Sequence, residues 1–347
     1  MLKQNVKRGD LRDVFTIVAD RKGVLPLIVE KDFWITWCLK KLFALPLPVS
    51  MVFKGGTSLS KGYNLINRLS EDCDITLNRA NLGFEGDKDP LGPHSRKKRN
   101  KLLDELKQVC CNFVASNLKT ALKESLRQEL EGEIWDLGPD NDPQCLRFYY
   151  PQTLPEKNYS GKDYLRRSVL LEFGVRGDIY PTEDLFLKSY VAEEFETFKE
   201  DSILIPCLSP LRTFWEKATL LHAERYRPLE KPTPLRLSRH YYDISMLFKA
   251  GFAEKAMQNW ELLQDVIKNK TILFSSAWAN YSLIPTEGLK LLPLPQRLKD
   301  LEKDYNQTKE MMLFGTKPSF EDLLLDMATL EEQLRDLRPI LVYTHSN

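Results

Sequence analysis

The apolar positions of this chain switch between a helical and a strand period, and each switch marks an element. Over Glu30 to Leu45, the residues Phe33, Trp34, Trp37, Leu39 and Leu42 recur near helical spacing, which predicts a helix covering a sheet. Val49 to Phe53 is a short apolar run of strand character, Gly55-Gly56 permits a tight turn, and Ser58 to Ile66 reads as a helix start. From Leu69 to Leu77 the period is two. Ser70, Asp72, Asp74 and Thr76 then fall on one strand face, with Glu71, Cys73, Ile75 and Leu77 on the other. Arg79 to Ser95, with Gly83, Gly86, Pro90, Gly92 and Pro93, reads as a loop. Arg96 to Glu131 predicts a long amphipathic helix with Leu102, Leu106, Val109, Phe113, Leu122 and Leu126 on its apolar face and Gly132 just past its end. Val169 to Val175 predicts another strand. Beyond Ser209 the pattern is mostly helical, with Ser209-Pro210 as an N-cap and first helical residue and Ser319 with Asp322 as a second capped start. The expected class is α+β: a mixed sheet with flanking helices over residues 1–205, then a mainly helical lobe over 206–347.

The segment Val49 to Leu77 also carries chemistry. Its glycine turn lets backbone N–H groups and the positive end of the following helix face a ligand, and phosphate suits that environment, so Gly55, Gly56, Thr57 and Ser58 form a candidate cradle. Two carboxylates on one strand face, about 5 Å apart at an effective dielectric of 20, repel by roughly 3 kcal/mol. A divalent cation offsets that repulsion, and Mg²⁺ bound by Asp72 and Asp74 would also bridge nucleotide phosphates. The plain alternative is a solvated strand end bearing two acids. Ser70 is expected on the same face, where its hydroxyl would touch the metal or phosphate site and its modification would add negative charge. Glu172 interrupts an apolar run, which makes a lone carboxylate there costly. It either joins Asp72 and Asp74 as a third acid or pairs with Arg166, Arg167 or Arg176. Lys217 lies beside the stripe Phe214, Ala218 and Leu221, a position from which lysines commonly reach to solvent.

Several strings, taken together, resemble the AbiEii family of nucleotidyltransferase-like toxins, the toxin half of type IV toxin-antitoxin and abortive-infection systems within the DNA polymerase β-like superfamily. They are FKGGTSLSKGYNLINRLSEDCDITL at Phe53 to Leu77, VEKDFWITWCLKKL at Val29 to Leu42, VLLEFGVRGDIYPTE at Val169 to Glu183, YVAEEF at Tyr190 to Phe195, LRTFWEKATLLHAE at Leu211 to Glu224, and RHYYDISML at Arg239 to Leu247. The resemblance implies a polymerase β-like core and a Mg²⁺-dependent transfer of a nucleoside monophosphate from an NTP. It implies that Lys217, in Trp215-Glu216-Lys217-Ala218, contacts the triphosphate. Asp243, in Tyr241-Tyr242-Asp243, becomes the remaining active-site acid; from its position alone it reads only as a helix-start residue. The implied acceptor is the 3′ end of tRNA, so that added nucleotides block translation and arrest growth, and a cognate antitoxin is the implied protein partner. A protein or small-molecule hydroxyl is the alternative acceptor, and a decayed nucleotide-binding partner in a defence complex the non-enzymatic alternative.

Composition narrows this only slightly. The chain has 347 residues, enough for two domains, and its 50 Lys and Arg nearly cancel 49 Asp and Glu, so any surface for nucleic acid must be local. Arg225, Arg227, Lys231, Arg236 and Arg239 form one such stretch, with Tyr226, His240 and Tyr241 nearby for stacking, and Arg96, Lys97, Lys98, Arg99 and Lys101 form a second. The six cysteines show no Cys-x-x-Cys spacing and Cys110-Cys111 sits in a helical pattern, which argues against a zinc site or disulfide framework. With no apolar h-region and no membrane-spanning stretch, the expected location is the cytoplasm.

Overall fold

The apolar run before the glycine pair forms strand β1 (Met51–Lys54), and the alternating run after it forms β2 (Asp72–Leu77); they pair antiparallel with Met51 opposite Leu77 and Lys54 opposite Asp74. With β3 (Asp136–Pro139), β4 (Cys145–Tyr149), β5 (Val169–Gly174), β6 (Thr182–Leu187) and β7 (Ile203–Leu208), they build a seven-stranded sheet in the order β3-β4-β5-β2-β1-β7-β6. It is a mixed sheet: β2 runs parallel to β5 and β1 to β7, whereas β1 with β2, β3 with β4 and β4 with β5 are antiparallel. This is a computed structural model, and it describes residues 8–159 and 166–336. The chain divides into two units, the first joining Met1–Gly62 to Ser70–Cys207 and the second joining Tyr63–Leu69 to Leu208–Asn347.

In the first unit the helices are α1 (Arg8–Lys22), α2 (Pro26–Phe43), the single turn α3 (Gly55–Thr57), α4 (Arg96–Phe113), α5 (Lys119–Arg127) and α6 (Tyr190–Glu194). Pro26 opens α2, where a missing N–H costs nothing. Its aromatic face meets the apolar face of the sheet: Trp34 stacks on Tyr150 with ring centroids 5.5 Å apart, and Trp37 on Phe148 at 6.0 Å. Phe53, Ile75, Leu77, Leu146, Leu171 and Phe173 lie buried on that side of the strands. Each such burial contributes roughly 1.5–3 kcal/mol, so this layer fixes which strand face is left for chemistry.

Three expectations are corrected here. The strand begins at Asp72 and not at Leu69, because Leu69 donates its N–H to Met311 O and Tyr63–Leu69 belongs to the second unit. The helix after the glycine pair stops early: α3 continues only as a π turn over Ser58–Gly62, and Asn64 takes a left-handed φ of 52°, which a right-handed helix cannot continue through. Along Arg96 to Glu131, Val109 is exposed and Cys110 is buried in its place, since Leu102, Leu106 and Cys110 follow an i+4 row down α4. A π turn over Val114–Leu118 then carries the buried stripe into α5, where Leu122 and Leu126 continue it.

The second unit is mainly helical, with α7 (Pro210–Arg225), α8 (Ser238–Lys249), α9 (Phe252–Met257), α10 (Trp260–Leu273), α11 (Ile284–Glu287), α12 (Leu298–Glu310) and α13 (Phe320–Asp336). Ser209 caps α7, accepting from Leu211 N, and Pro210 opens it. Before α13 a reciprocal capping box forms: Asp322 N donates to Ser319 Oγ at 3.0 Å, and Ser319 N to Asp322 Oδ2 at 2.8 Å. Phe214, Ala218 and Leu221 are fully buried, and α7 packs against α8, α9 and α10. Arg68, on the segment taken from the N-terminal half, bridges to Met312.

Candidate active site

Gly55 is glycine for two separable reasons. Its φ is +79°, and a Cβ there would lie 1.9 Å from Asp74 Oδ2, so the turn's backbone and the Asp74 carboxylate are pressed together. The turn is tied to β2 as well: Thr57 Oγ1 donates to Asp72 O at 2.6 Å, and Ser58 Oγ to Gly55 O at 3.0 Å. Both hydroxyls are thus occupied by backbone acceptors, which leaves backbone N–H groups as the donors the Gly55 to Ser58 turn can offer a phosphate. Gly56 packs inward with Thr57 and Ser58.

Strand register sets the carboxylates. Lys54, Asp74 and Glu172 are direct cross-strand neighbours on β1, β2 and β5, and Asp72 lies opposite Leu170 one pleat away, all on the face turned from the aromatic layer. All four charged groups are half-buried. Ser70 precedes the strand, so the alternation that would align it with Asp72 does not reach it. Among the described residues no group of three or more histidine, cysteine and carboxylate side chains is placed to hold a metal ion. Asp72 and Asp74 still fit Mg²⁺ by chemistry, because that ion characteristically takes one or two carboxylates and fills its shell with water and substrate phosphates.

Both flanks of this segment are pinned by α2, through three consecutive charged residues that lie buried. Asp32 pairs with Lys61, in the π turn that ends the glycine segment, and also accepts from Tyr190 N at 2.7 Å. Lys31 pairs with Glu71, the residue before Asp72, and donates to Arg166 O at 2.9 Å. Glu30 accepts from Tyr159 Oη at 2.6 Å and Thr153 N at 2.9 Å. Burial raises the Asp32 carboxyl above its ordinary range, with Lys61 only partly opposing it. Periodicity alone does not reveal these residues, because a helix buried on nearly every side has no polar face to expect them on.

In the second unit Lys217 and Asp243 come together. Lys217 Nζ lies 3.0 Å from Asp243 Oδ2 and 3.3 Å from His240 Nδ1, and Arg68 donates Nε and Nη2 to the two carboxylate oxygens at 2.8 Å each. Burial by itself would raise the Asp243 carboxyl, but Arg68 and Lys217 outweigh it and hold the group well below the usual carboxylate range. Burial and the neighbouring Lys217 charge push His240 well below its ordinary value, so its Nδ1 is free to accept from the ammonium. The sequence shows nothing of Arg68, which is 175 residues from Asp243.

The sequence profile described as "Nucleotidyl transferase AbiEii toxin, Type IV TA system" matches residues 37–326. The chain belongs to the AbiEii family. It is accordingly a nucleotidyltransferase toxin of a type IV toxin-antitoxin system. Among solved structures, one that it resembles is MenT4, a nucleotidyltransferase toxin from Mycobacterium tuberculosis, at 17% identity over 94% of this chain and 89% of that one, with a TM-score of 0.43. No curated protein sequence matches. Among the described residues no helix is long and apolar enough to cross a membrane.

Of the two basic stretches in this AbiEii-family chain, the first is partly committed to its own loop. Arg225 Nη1 donates to Pro293 O at 3.0 Å, and Arg227 Nε to Pro232 O at 3.1 Å. Arg236 is exposed with φ +61°, and Arg239 Nε reaches Arg236 O at 3.4 Å. Lys231 Nζ lies 4.0 Å and the Arg227 guanidinium 5.4 Å from the Trp278 ring centroid, an aromatic partner that proximity in sequence does not disclose. In the second stretch Arg96, Lys97, Lys98 and Lys101 are exposed, whereas Arg99 is spent on Pro90 O and Gly92 O. The six cysteines are all free thiols.

Proposed function

We propose that this toxin transfers a nucleoside monophosphate from an NTP to the 3′ hydroxyl of tRNA in the cytoplasm, with release of pyrophosphate and arrest of translation. The observation that carries the reading is the packing of Asp74 against the Gly55 backbone, with Asp72 on the same strand face: a phosphate-facing turn and two hard-oxygen ligands on one short stretch of chain. Asp72 and Asp74 would hold Mg²⁺, which when bound supplies charge neutralisation at the phosphates. The backbone N–H groups of Gly55, Gly56, Thr57 and Ser58 orient the phosphates. The acceptor oxygen attacks the α-phosphorus, the bond to pyrophosphate breaks, and Glu172, in register with Asp74, is the carboxylate proposed to complete the acidic site and receive the hydroxyl proton. Lys217 neutralises charge on the leaving pyrophosphate, and Asp243 with Arg68 sets the orientation of its ammonium. Ser70 remains a candidate contact to the nucleotide through a route other than strand alternation. The exposed Arg236, with Arg225, Arg227 and Arg239, is proposed to follow the RNA backbone, and Trp278 supplies a ring beside it. A cognate antitoxin is the protein partner that a toxin of this type requires.

The test is to incubate the purified protein with total RNA, Mg²⁺ and each α-³²P-labelled NTP in turn, beside Asp72→Ala and Asp74→Ala variants. Label should enter the tRNA band with wild-type protein and Mg²⁺ only. Label appearing in protein or in a small molecule, with none in RNA, would reject the tRNA acceptor, and transfer at the wild-type rate by Asp72→Ala would reject the metal assignment.

A further inference from the structure

Next to the carboxylate row two hydrogen-bond donors stand without acceptors. Thr76 follows Asp74 by two residues on the same face of β2, and its side chain is fully buried with Oγ1 unbonded. Its cross-strand neighbours, Val52 on β1 and Gly174 on β5, offer that hydroxyl no side-chain acceptor. An unsatisfied buried hydroxyl costs on the order of 1–3 kcal/mol, so its retention in a strand where valine would fit calls for a cause. Lys54, opposite Asp74, makes no hydrogen bond or ion pair among the described residues. Both groups converge on Gly177, where an added Cβ would lie 2.7 Å from Lys54 Nζ and 2.9 Å from Thr76 Oγ1. Gly177 has no left-handed φ to explain its being glycine. What explains it is close packing: the glycine lies directly against the ammonium and the hydroxyl, where a side chain would displace both. The carboxylate nearest to Gly177 in sequence, Asp178, is turned to Arg79, 3.9 Å away, and Arg79 also donates to Gly177 O at 3.4 Å.

We propose that Lys54 Nζ and Thr76 Oγ1, brought together against Gly177, form a subsite for one phosphate oxygen. An ammonium and a hydroxyl side by side are a donor set for an oxyanion, and the Lys54 charge offsets the repulsion that Asp72, Asp74 and Glu172 on the same face exert on it. The proposal rests on the nucleotidyl-transfer reading for the source of the phosphate. Two sources share this chemistry, the terminal phosphodiester of the acceptor strand and the triphosphate of the nucleotide. The turn's Gly55 end lies against Asp74, two residues from Thr76 and about 7 Å away at strand rise, and its Thr57 end is tied to Asp72; with the turn holding the triphosphate, the adjoining subsite is assigned to the acceptor.

Three variants of the full chain test this: Lys54→Met, Thr76→Val and Gly177→Ala. Transfer is measured with a short RNA ending in a 3′ hydroxyl, giving KM for RNA at saturating NTP and KM for NTP at saturating RNA. Binding of the same RNA, and separately of inorganic pyrophosphate, is measured by calorimetry without turnover. Lys54→Met and Gly177→Ala should raise the RNA KM at least about tenfold, the scale of one charge-assisted hydrogen bond, and leave the NTP KM within about twofold. Thr76→Val should raise it less while keeping or raising Tm, which a purely structural hydroxyl would not do. A rise confined to the NTP KM and to pyrophosphate binding would keep the subsite and assign it to the triphosphate. No change in either KM or in binding with Gly177→Ala, whose Cβ presses on both donors without requiring a left-handed φ, would overturn the subsite even if Lys54→Met failed to fold. Should wild type label no RNA at all, the transfer reading falls, and the loss or retention of RNA and pyrophosphate binding in Gly177→Ala still decides the subsite.

Discussion

Arg68 grips Asp243 through two parallel hydrogen bonds of 2.8 Å, Nε to Oδ1 and Nη2 to Oδ2, although the two residues are 175 positions apart. The side chains are 4% and 0% exposed, so the pair sits away from solvent screening, with Lys217 as a second cation 3.0 Å from Oδ2. Removing one partner of a buried pair costs about 3–5 kcal/mol, and Lys217 left in place moderates that here. Arg68→Met should therefore destabilise the protein by about 3 kcal/mol in urea denaturation, and Arg68→Lys should recover only part, because an ammonium cannot span both carboxylate oxygens. A loss below about 1 kcal/mol for Arg68→Met would show that Lys217 alone satisfies Asp243.

At the glycine turn, Gly55→Ala combines a left-handed φ of +79° with a Cβ placed 1.9 Å from Asp74 Oδ2. Neither strain can be relieved by rotating the new methyl group. The backbone penalty is about 1–2 kcal/mol, and the displaced carboxylate should cost transfer activity at least about a hundredfold, since displacements of about 1 Å at a reacting centre carry penalties of that size. Gly23, also at positive φ but with nothing near its Cβ position, is the control: Gly23→Ala should cost stability alone. Equal activity in Gly55→Ala and Gly23→Ala would refute the close approach.

The two ion pairs that α2 makes to the flanks of the site predict an asymmetric double-mutant cycle. Lys61→Met leaves Asp32 buried beside an apolar group and should destabilise by about 3–5 kcal/mol, whereas adding Asp32→Asn should restore most of that loss. The same holds for Glu71→Gln beside Lys31, which keeps a second acceptor in Arg166 O and should lose less. Additive losses in the Asp32→Asn, Lys61→Met double variant would show that the two side chains act independently.

How much of this could be read from sequence depended on the range of the interaction. The shared face of Asp72 and Asp74 follows from a period of two, the cap at Ser209 from the proline beside it, and the cap at Ser319 from Asp322 three residues on, so local geometry is legible. Helical spacing accommodates Val109 as well as its neighbour on the buried side of α4, and only packing selects Cys110. Strands β3 and β4 span only four and five residues; Thr182–Leu187, with exposed Glu183, Asp184 and Phe186, lacks the alternation that a half-buried strand shows. The partners Arg68 and Asp243, Lys61 and Asp32, and Lys54 and Thr76 are set by register and crossing between distant segments. Periodicity along the chain does not reveal them.

The histidines give a pH prediction with a definite sign. His222 is fully buried, donating from Nε2 to Asn280 O at 3.2 Å while Nδ1 accepts from Lys290 N at 3.0 Å, and burial lowers its pKa; burial and Lys217 lower that of His240. Both folded-state values lie below the unfolded value near 6.5, so below about pH 6.5 the unfolded chain binds protons that the folded chain refuses. Stability is thus fully present above about pH 6.5 and falls as pH drops toward the folded values, by up to about 1.4 kcal/mol per pH unit for each histidine. Asp243 contributes nothing in that window, because its lowered pKa keeps it ionised, and Glu30 and Asp32, raised by burial, act with the opposite sign from their unfolded values upward. Comparing variant with wild type isolates each histidine from these carboxylates. Urea denaturation at several values between about pH 5 and 7.5 should show a shallower slope for His240→Gln than for wild type, with Lys217 still paired to Asp243, and a shallower slope again for the His222→Gln, His240→Gln double variant. Parallel curves for all three proteins would mean that neither imidazole is kept neutral by the fold.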